Sequence, residues 1–249
     1  MRYFLRKALL DPVPEVQITF QNFNELTIAR RVLSNAFKID QKYEIIITNF
    51  LNLEKQLLNI AAANIVQQLH TYSEFFETIS ILNTRLVNLV TATRLYFDQL
   101  PNHLLNCQIS QNSFVNDFKS TCSNEYDNHF EYRFMEALRN HILHHGMPIH
   151  HVSQDAGWTS FDDKGSMEYS VNLFAKFKFL EENRKFKKSV LNEIKVDVNL
   201  IAAKRKYLES ISFIHEYVRE LILENVRNTR VVIESAHRRY SEVYSESLV

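Results

Sequence analysis

Three glycines and four prolines in 249 residues leave this chain few places to turn tightly. A turn-rich all-β protein uses many more of both, so the composition favours long uninterrupted helices. It also leaves little material for a phosphate-cradling loop, and neither GxxxxGKS/T nor GxGxxG occurs. The length suits one large domain, or one domain with a small appendage, around a sizeable core. Cys107 and Cys122 match no paired metal-ligand spacing and no disulfide framework, which points to a reducing cytoplasm. Residues 1–10 are basic and too short to span a bilayer, and no apolar run of membrane length follows, so a soluble protein without a membrane partner is expected.

Hydrophobic spacing predicts where the helices lie. From Gln41 to His70, Tyr43, Ile46, Ile47, Phe50, Leu53, Leu57, Ile65 and Leu69 recur at three- and four-residue steps. A second helix is expected from Thr71 or Ser73, with Leu82, Leu86, Leu89, Val90, Thr93 and Phe97 on one stripe until Pro101 stops it. A third covers Gln111 to Asp127. A fourth runs from Asn128 to His145 and ends at Gly146, in a left-handed C′ position with Pro148 two residues on. Four helices in this order read as an antiparallel bundle. The period then changes, because Tyr169, Val171, Leu173, Ala175, Phe177 and Phe179 alternate with more polar neighbours, predicting a strand with one buried face. Its partners are expected to be Ile149–Ser153 and, near the N-terminus, Val16–Phe20. Two further helical segments follow from Lys188. The fold class is therefore mainly α, a helical bundle with a small antiparallel β-sheet appendage and C-terminal helices. Residues 1–40 form an arm packing on the core, 41–146 the bundle, 147–184 the β appendage, and 185–249 helices completing the same globular unit.

Formal net charge is zero, which disfavours a strong sequence-independent nucleic-acid binder, yet the charge is unevenly spread. Residues 111–175 hold four Lys/Arg against nine Asp/Glu, whereas residues 176–239 hold fifteen against nine. Basic clusters occur at Arg184-Lys185-Phe186-Lys187-Lys188 and at Lys204-Arg205-Lys206. They read either as an RNA-holding surface, with Lys187 and Lys188 as phosphate contacts, or as solvated helix faces with interleaved acid and base.

The stretch that carries chemistry is Arg139-Asn140-His141-Ile142-Leu143-His144, near the end of the fourth helix. It joins a fixed cation to an imidazole that moves protons near neutral pH, the pair a metal-free phosphodiester cleavage requires. On a helical wheel Phe130, Phe134, Ala137, Leu138, His141 and His145 share the face expected to meet the core. Almost opposite lie Tyr132, Met135, Arg139 and Leu143. This second stripe is either covered by the chain itself or packed against another copy, and a homodimer is the expectation. Arg139 and His144 lie about 140° apart on the wheel, whereas Asn140 and His144 share an edge. In a dimer, Arg139 of one copy can meet the Asn140–His144 edge of the other. His144 falls in the last turn, where the helix dipole favours a cation, which suits a general acid.

The string LRNHILHHGMPIH resembles the R-x4-6-H motif of the HEPN superfamily, in the form with Asn directly after Arg. The upstream LNTRLVNLVTATRLYFDQL resembles the second helix of bacterial HEPN-like proteins, and the likeness covers roughly residues 41–146. The resemblance implies a helical bundle in which the motif helices of two protomers meet. It further implies a metal-independent, cofactor-free endoribonuclease of a toxin–antitoxin or phage-defence system, with RNA as substrate and an antitoxin protein as a partner. Arg139, Asn140 and His144 take the catalytic roles: His144 shuttles the proton, Arg139 stabilises the charge on phosphorus, and Asn140 orients His144 or the phosphate. His145, Arg85, Asn88, Lys187 and Lys188 are the candidates for substrate contact or support. Some HEPN-like proteins lack ribonuclease activity, so a non-catalytic interaction module of the same fold is the second reading. A third is a metal-binding regulatory protein using His141, His144, His145, His150 and His151, although no carboxylate completes an HExxH pattern.

Overall fold

A computed structural model describes residues 1–8, 13–66, 71–109, 113–160 and 164–244. The elements follow in the order β1 (Tyr3–Leu5), β2 (Val16–Ile18), α1 (Phe20–Val66), α2 (Tyr72–Cys107), α3 (Phe114–Asn128) and α4 (Phe130–His144). After them come β3 (His151–Trp158), β4 (Met167–Ala175), α5 (Phe177–Glu182), α6 (Lys188–Leu191), β5 (Val198–Asn199) and α7 (Leu200–Val243). The protein is mainly α with small antiparallel sheets, the fold class the sequence predicts. Among the described residues no helix is long and apolar enough to cross a membrane.

Side-chain caps set the starts of the long helices. Thr19 Oγ1 accepts from the Asn22 amide (3.1 Å) ahead of α1. Thr71 and Glu74 form a reciprocal capping box ahead of α2, with the Glu74 amide bound to Thr71 Oγ1 and the Thr71 amide bound to Glu74 Oε2. Asn199 Oδ1 accepts from the amides of Ile201 and Ala202 at the start of α7.

Several boundaries differ from the expected ones, each for a physical reason. The stretch expected as an N-terminal arm is helical from Phe20 onward, because Ala29, Val32 and Ile39 bury one face among polar neighbours too dense to show a stripe. Pro101 lies inside α2 rather than ending it. Burial of Leu100 before it and of Leu104 and Cys107 beyond it offsets the roughly 3 kcal/mol that an interior proline costs. Gly146 does not adopt a left-handed conformation, since the described residues include no positive φ; the amides of His145 and Gly146 both bond to the carbonyl of His141 instead. The expected strand ends at Ala175, and Phe177–Glu182 turns into helix. Parts of the expected helical spans, namely residues 67–70 and 111–112, lie outside the described residues.

The chain divides into two compact units, and α1, α2, α3 and α7 contribute residues to both. The first comprises residues 1–41, 98–119 and 216–249. Within it β1 and β2 pair antiparallel, with Tyr3 opposite Ile18 and Leu5 opposite Val16. Its core includes Val32, Ile39, Leu104, Cys107, Val218 and Ile222. Val16–Ile18 thus pairs with the N-terminal strand and not with the sheet beside the bundle, as the sequence reading expected.

The second unit comprises residues 42–97 and 120–215 and holds all of α4. Its sheet has the order β3-β4-β5, all antiparallel, with Val152 opposite Leu173 and Ala175 opposite Val198. Val171, Leu173 and Ala175 bury the predicted inner face of β4. The helical core is built from Ile46 and Leu53 of α1, Leu82, Leu86 and Leu89 of α2, Phe134 and Leu138 of α4, and Tyr207, Ile211 and Ile214 of α7.

Candidate functional site

Arg133 fixes the first turn of α4. Its Nη1 donates to the carbonyls of Tyr126 (2.7 Å) and Asp127 (2.8 Å), satisfying the end of α3, while Nη2 pairs with Glu193 at 2.6 Å. Phe134, Leu138 and His141 are buried on the predicted core face. Tyr132 and Met135, on the opposite stripe, are buried as well. The Tyr207 ring of α7 lies 5.4 Å from that of Tyr132, so the same chain covers this stripe along most of its length. The expectation that a second copy is needed to bury it is thereby corrected. Only Leu143, at its end, stands exposed.

Arg139 and Asn140 are brought together directly. The side chain of Arg139 is only 13% exposed, and its Nη2 donates to Asn140 Oδ1 at 2.8 Å. Glu136, one turn earlier, places Oε2 at 3.8 Å from the same Nη2, beyond hydrogen-bond reach. The other oxygen of Glu136 accepts a 2.6 Å bond from the Tyr207 hydroxyl. Among the described residues, the buried Nε–H of Arg139 has no hydrogen-bond partner. A guanidinium that is largely desolvated yet incompletely bonded is costly in itself and well suited to an oxyanion. Asn140 and His144 are exposed on one edge of the helix. With its oxygen held by Arg139, the Asn140 amide presents its NH2 as a donor.

The remaining candidates are dispersed. His145 is exposed beside His141, their ring centroids 5.0 Å apart. Asn88 lines a cavity of about 370 Å³ with Phe76, Val87 and Met147, while Arg85 is half-buried on the same helix. Lys187 is engaged with Tyr126 at the end of α3, donating to its hydroxyl and lying 4.4 Å from its ring centroid. Lys188 is exposed at the start of α6. In the cluster Lys204-Arg205-Lys206 the cations are paired with carboxylates: Lys204 is buried, Lys204 and Arg205 both pair with Glu54, and the exposed Lys206 pairs with Glu209.

The histidines fasten the end of α4. His141 Nδ1 pairs with the Asn183 amide at 3.0 Å, and His150 Nδ1 accepts from the Lys176 backbone at 3.1 Å with its ring stacked on Phe179. These nitrogens are used structurally, and among the described residues no group of three or more His, Cys, Asp or Glu is placed to hold a metal. Asn83 of α2 adds a further clamp. Its buried Oδ1 accepts from the amide of Ile149 at 3.0 Å and pins the chain leaving α4. Glu136 and Tyr207 were missed altogether. The i, i+3 spacing of Glu136 and Arg139 was a readable signal, whereas nothing local connects Tyr207 to α4.

Burial, reinforced by His145 and His150, pushes His141 down to about 4 from 6.5. An unfolded chain binds that proton near pH 6.5 while the folded one resists it to about 4, so stability is complete above 6.5 and declines as pH falls through this window. The expected loss is about 3 kcal/mol at pH 4. Urea unfolding at pH 7.5 and at pH 4.5 checks this. His141→Asn is expected to flatten the dependence, and an identical slope in both proteins would refute the assignment.

Compared with family models, with curated proteins and with solved structures, the chain matches none.

Proposed function

We propose that this protein is a HEPN-like, metal-independent endoribonuclease that works as a homodimer, of the bacterial toxin–antitoxin or phage-defence kind, with an antitoxin protein as a further partner. The observation that carries the reading is the Arg139 guanidinium. It is mostly shielded from water, locked onto Asn140 and left with a buried donor unpartnered among the described residues, five residues before an exposed imidazole at His144. In the proposed reaction the His144 imidazole accepts the proton of an RNA 2′-hydroxyl as its oxygen attacks the adjacent phosphorus. The P–O5′ bond breaks, and the imidazolium returns the proton to O5′. The products are a 2′,3′-cyclic phosphate and a 5′-hydroxyl. Arg139 and the Asn140 NH2 stabilise the charge gathered on the phosphoryl oxygens. Arg139 stays bonded to its own Asn140, and the dimer is proposed to bring the Asn140–His144 edge of a second copy against this guanidinium.

The test is cleavage of RNA by the purified protein in EDTA, with the 3′ ends identified as cyclic phosphates. Activity lost on chelation overturns the scheme, as does intact RNA at high protein concentration. Intact RNA together with a stable dimer selects the second reading, a non-catalytic interaction module. That alternative is favoured by the exposed apolar side chains of Leu143, Met147 and Phe76.

A further inference from the structure

We infer that Tyr207 is a positioning residue for the anion site: it holds the Glu136 carboxylate away from Arg139 and so reserves the guanidinium for a phosphate of the substrate. The inference rests on the ribonuclease reading for the identity of that phosphate, as part of an RNA strand. Its basis is a contrast of two distances within one side chain. Glu136 Oε1 is bound to the Tyr207 hydroxyl at 2.6 Å, while Oε2 stands 3.8 Å from Arg139 Nη2. A free carboxylate one turn before an arginine would close into a short, frequently two-pronged ion pair and occupy the donors that a phosphate requires. Tyr207 prevents this. Its ring is buried against Tyr132, so the hydroxyl has no freedom to follow the carboxylate elsewhere. Burial, followed by the neighbouring Glu136 charge, keeps the phenol well above its ordinary range, so it stays a donor.

The arrangement forms a chain from α7 to the exposed edge of α4. Tyr207 donates to Glu136, Glu136 stands back from Arg139, and Arg139 donates to the oxygen of Asn140. The buried Nε–H of Arg139 is the donor left over. Glu136 tempers the positive charge of the site without filling it. Removing the hydroxyl and removing the carboxylate should therefore have opposite consequences, which a tyrosine that only packs would not produce.

The experiment uses the full-length protein and a short RNA with 2′-O-methyl sugars, which cannot be cleaved by the proposed route, followed by fluorescence anisotropy. Tyr207→Phe is expected to weaken binding about tenfold and to lower the salt slope by about one phosphate contact. Glu136→Gln is expected to bind as tightly as the wild type or more tightly. The double variant should match Glu136→Gln, because without the carboxylate the hydroxyl has nothing to restrain. In parallel, the 1H–15N signal of the Arg139 Nε group is expected to shift with inorganic phosphate in the wild type and in Glu136→Gln, and not in Tyr207→Phe. Unchanged binding by Tyr207→Phe overturns the inference, as does a double variant as weak as Tyr207→Phe, or a wild-type Nε signal indifferent to phosphate. If the binding pattern holds while RNA with free 2′-hydroxyls stays intact, the ribonuclease reading alone falls. If RNA is cleaved in a His144-dependent way while Tyr207→Phe and Glu136→Gln bind alike, this inference alone falls.

Discussion

Replacing His144 by alanine is expected to slow RNA cleavage by about 10²- to 10⁴-fold, the usual range for a positioned proton-transfer group. The fold should be undisturbed, because His144 is exposed in the last turn of α4 and none of the helix's buried contacts involve it. Arg139→Gln is expected to be comparably inactive, with part of the loss in substrate binding, since it removes the charge opposite the phosphate. Mixing the two inactive proteins distinguishes a shared site from a self-contained one. If Arg139 of one copy serves His144 of the other, a mixed dimer contains one intact site, and activity should return to about a quarter of the wild-type level. Failure to recover any activity, with subunit exchange verified, would place both groups in one copy or remove them from the chemistry.

Glu54→Leu is expected to destabilise the protein by about 3–5 kcal/mol, lowering the melting temperature by on the order of 10 °C. Lys204 is 0% exposed, bonds to Glu54 and lies 4.6 Å from the Phe50 ring centroid. Arg205 completes the group with two 2.9 Å bonds to the same carboxylate. Removing Glu54 leaves a buried ammonium without its counter-charge, which costs more than the intact pair contributes. Burial draws Lys204 below its usual range even with Glu54 present. The double change Glu54→Leu with Lys204→Met should recover most of the loss, and failure to do so would show that the pair supplies more than mutual neutralisation. The acid behaviour follows in the same terms. The bond from Arg205, with Lys204 assisting and burial opposing, holds Glu54 at about 2 instead of 4.5. This contribution is therefore complete above pH 4.5 and is lost as the pH falls toward 2, a window that overlaps the one in which His141 acts only between about pH 4 and 4.5.

Much of the second unit was legible in the sequence because its periodicity is strong. The capping residue of α2, the core face of α4 from Phe134 to His141, and Val171, Leu173 and Ala175 in β4 stand where alternation or a 3.6-residue period puts them, whereas His145, expected on that core face, is exposed. The start of α1 was not, since small residues such as Ala29 bury one face without announcing it. Nor was the pairing of Val16–Ile18 with Tyr3–Leu5, because three-residue strands carry little pattern to match. For the candidate site, the contact of Arg139 with Asn140 joins sequence neighbours and was visible as a motif. What covers Tyr132 was not. Tyr207 lies far along the chain, and a half-apolar stripe looks the same whether its own chain or a second copy conceals it.

The chain has a single tryptophan, Trp158, at the far end of the β3–β4 hairpin opposite Met167, with 57% of its surface open. Indole emission from this protein would consequently be that of a ring in water in the native state too. A spectroscopist following it through a denaturant titration would be watching the tip of a ribbon and could miss the melting of the helices altogether. The same remoteness makes it a clean beacon for anything that settles on that hairpin.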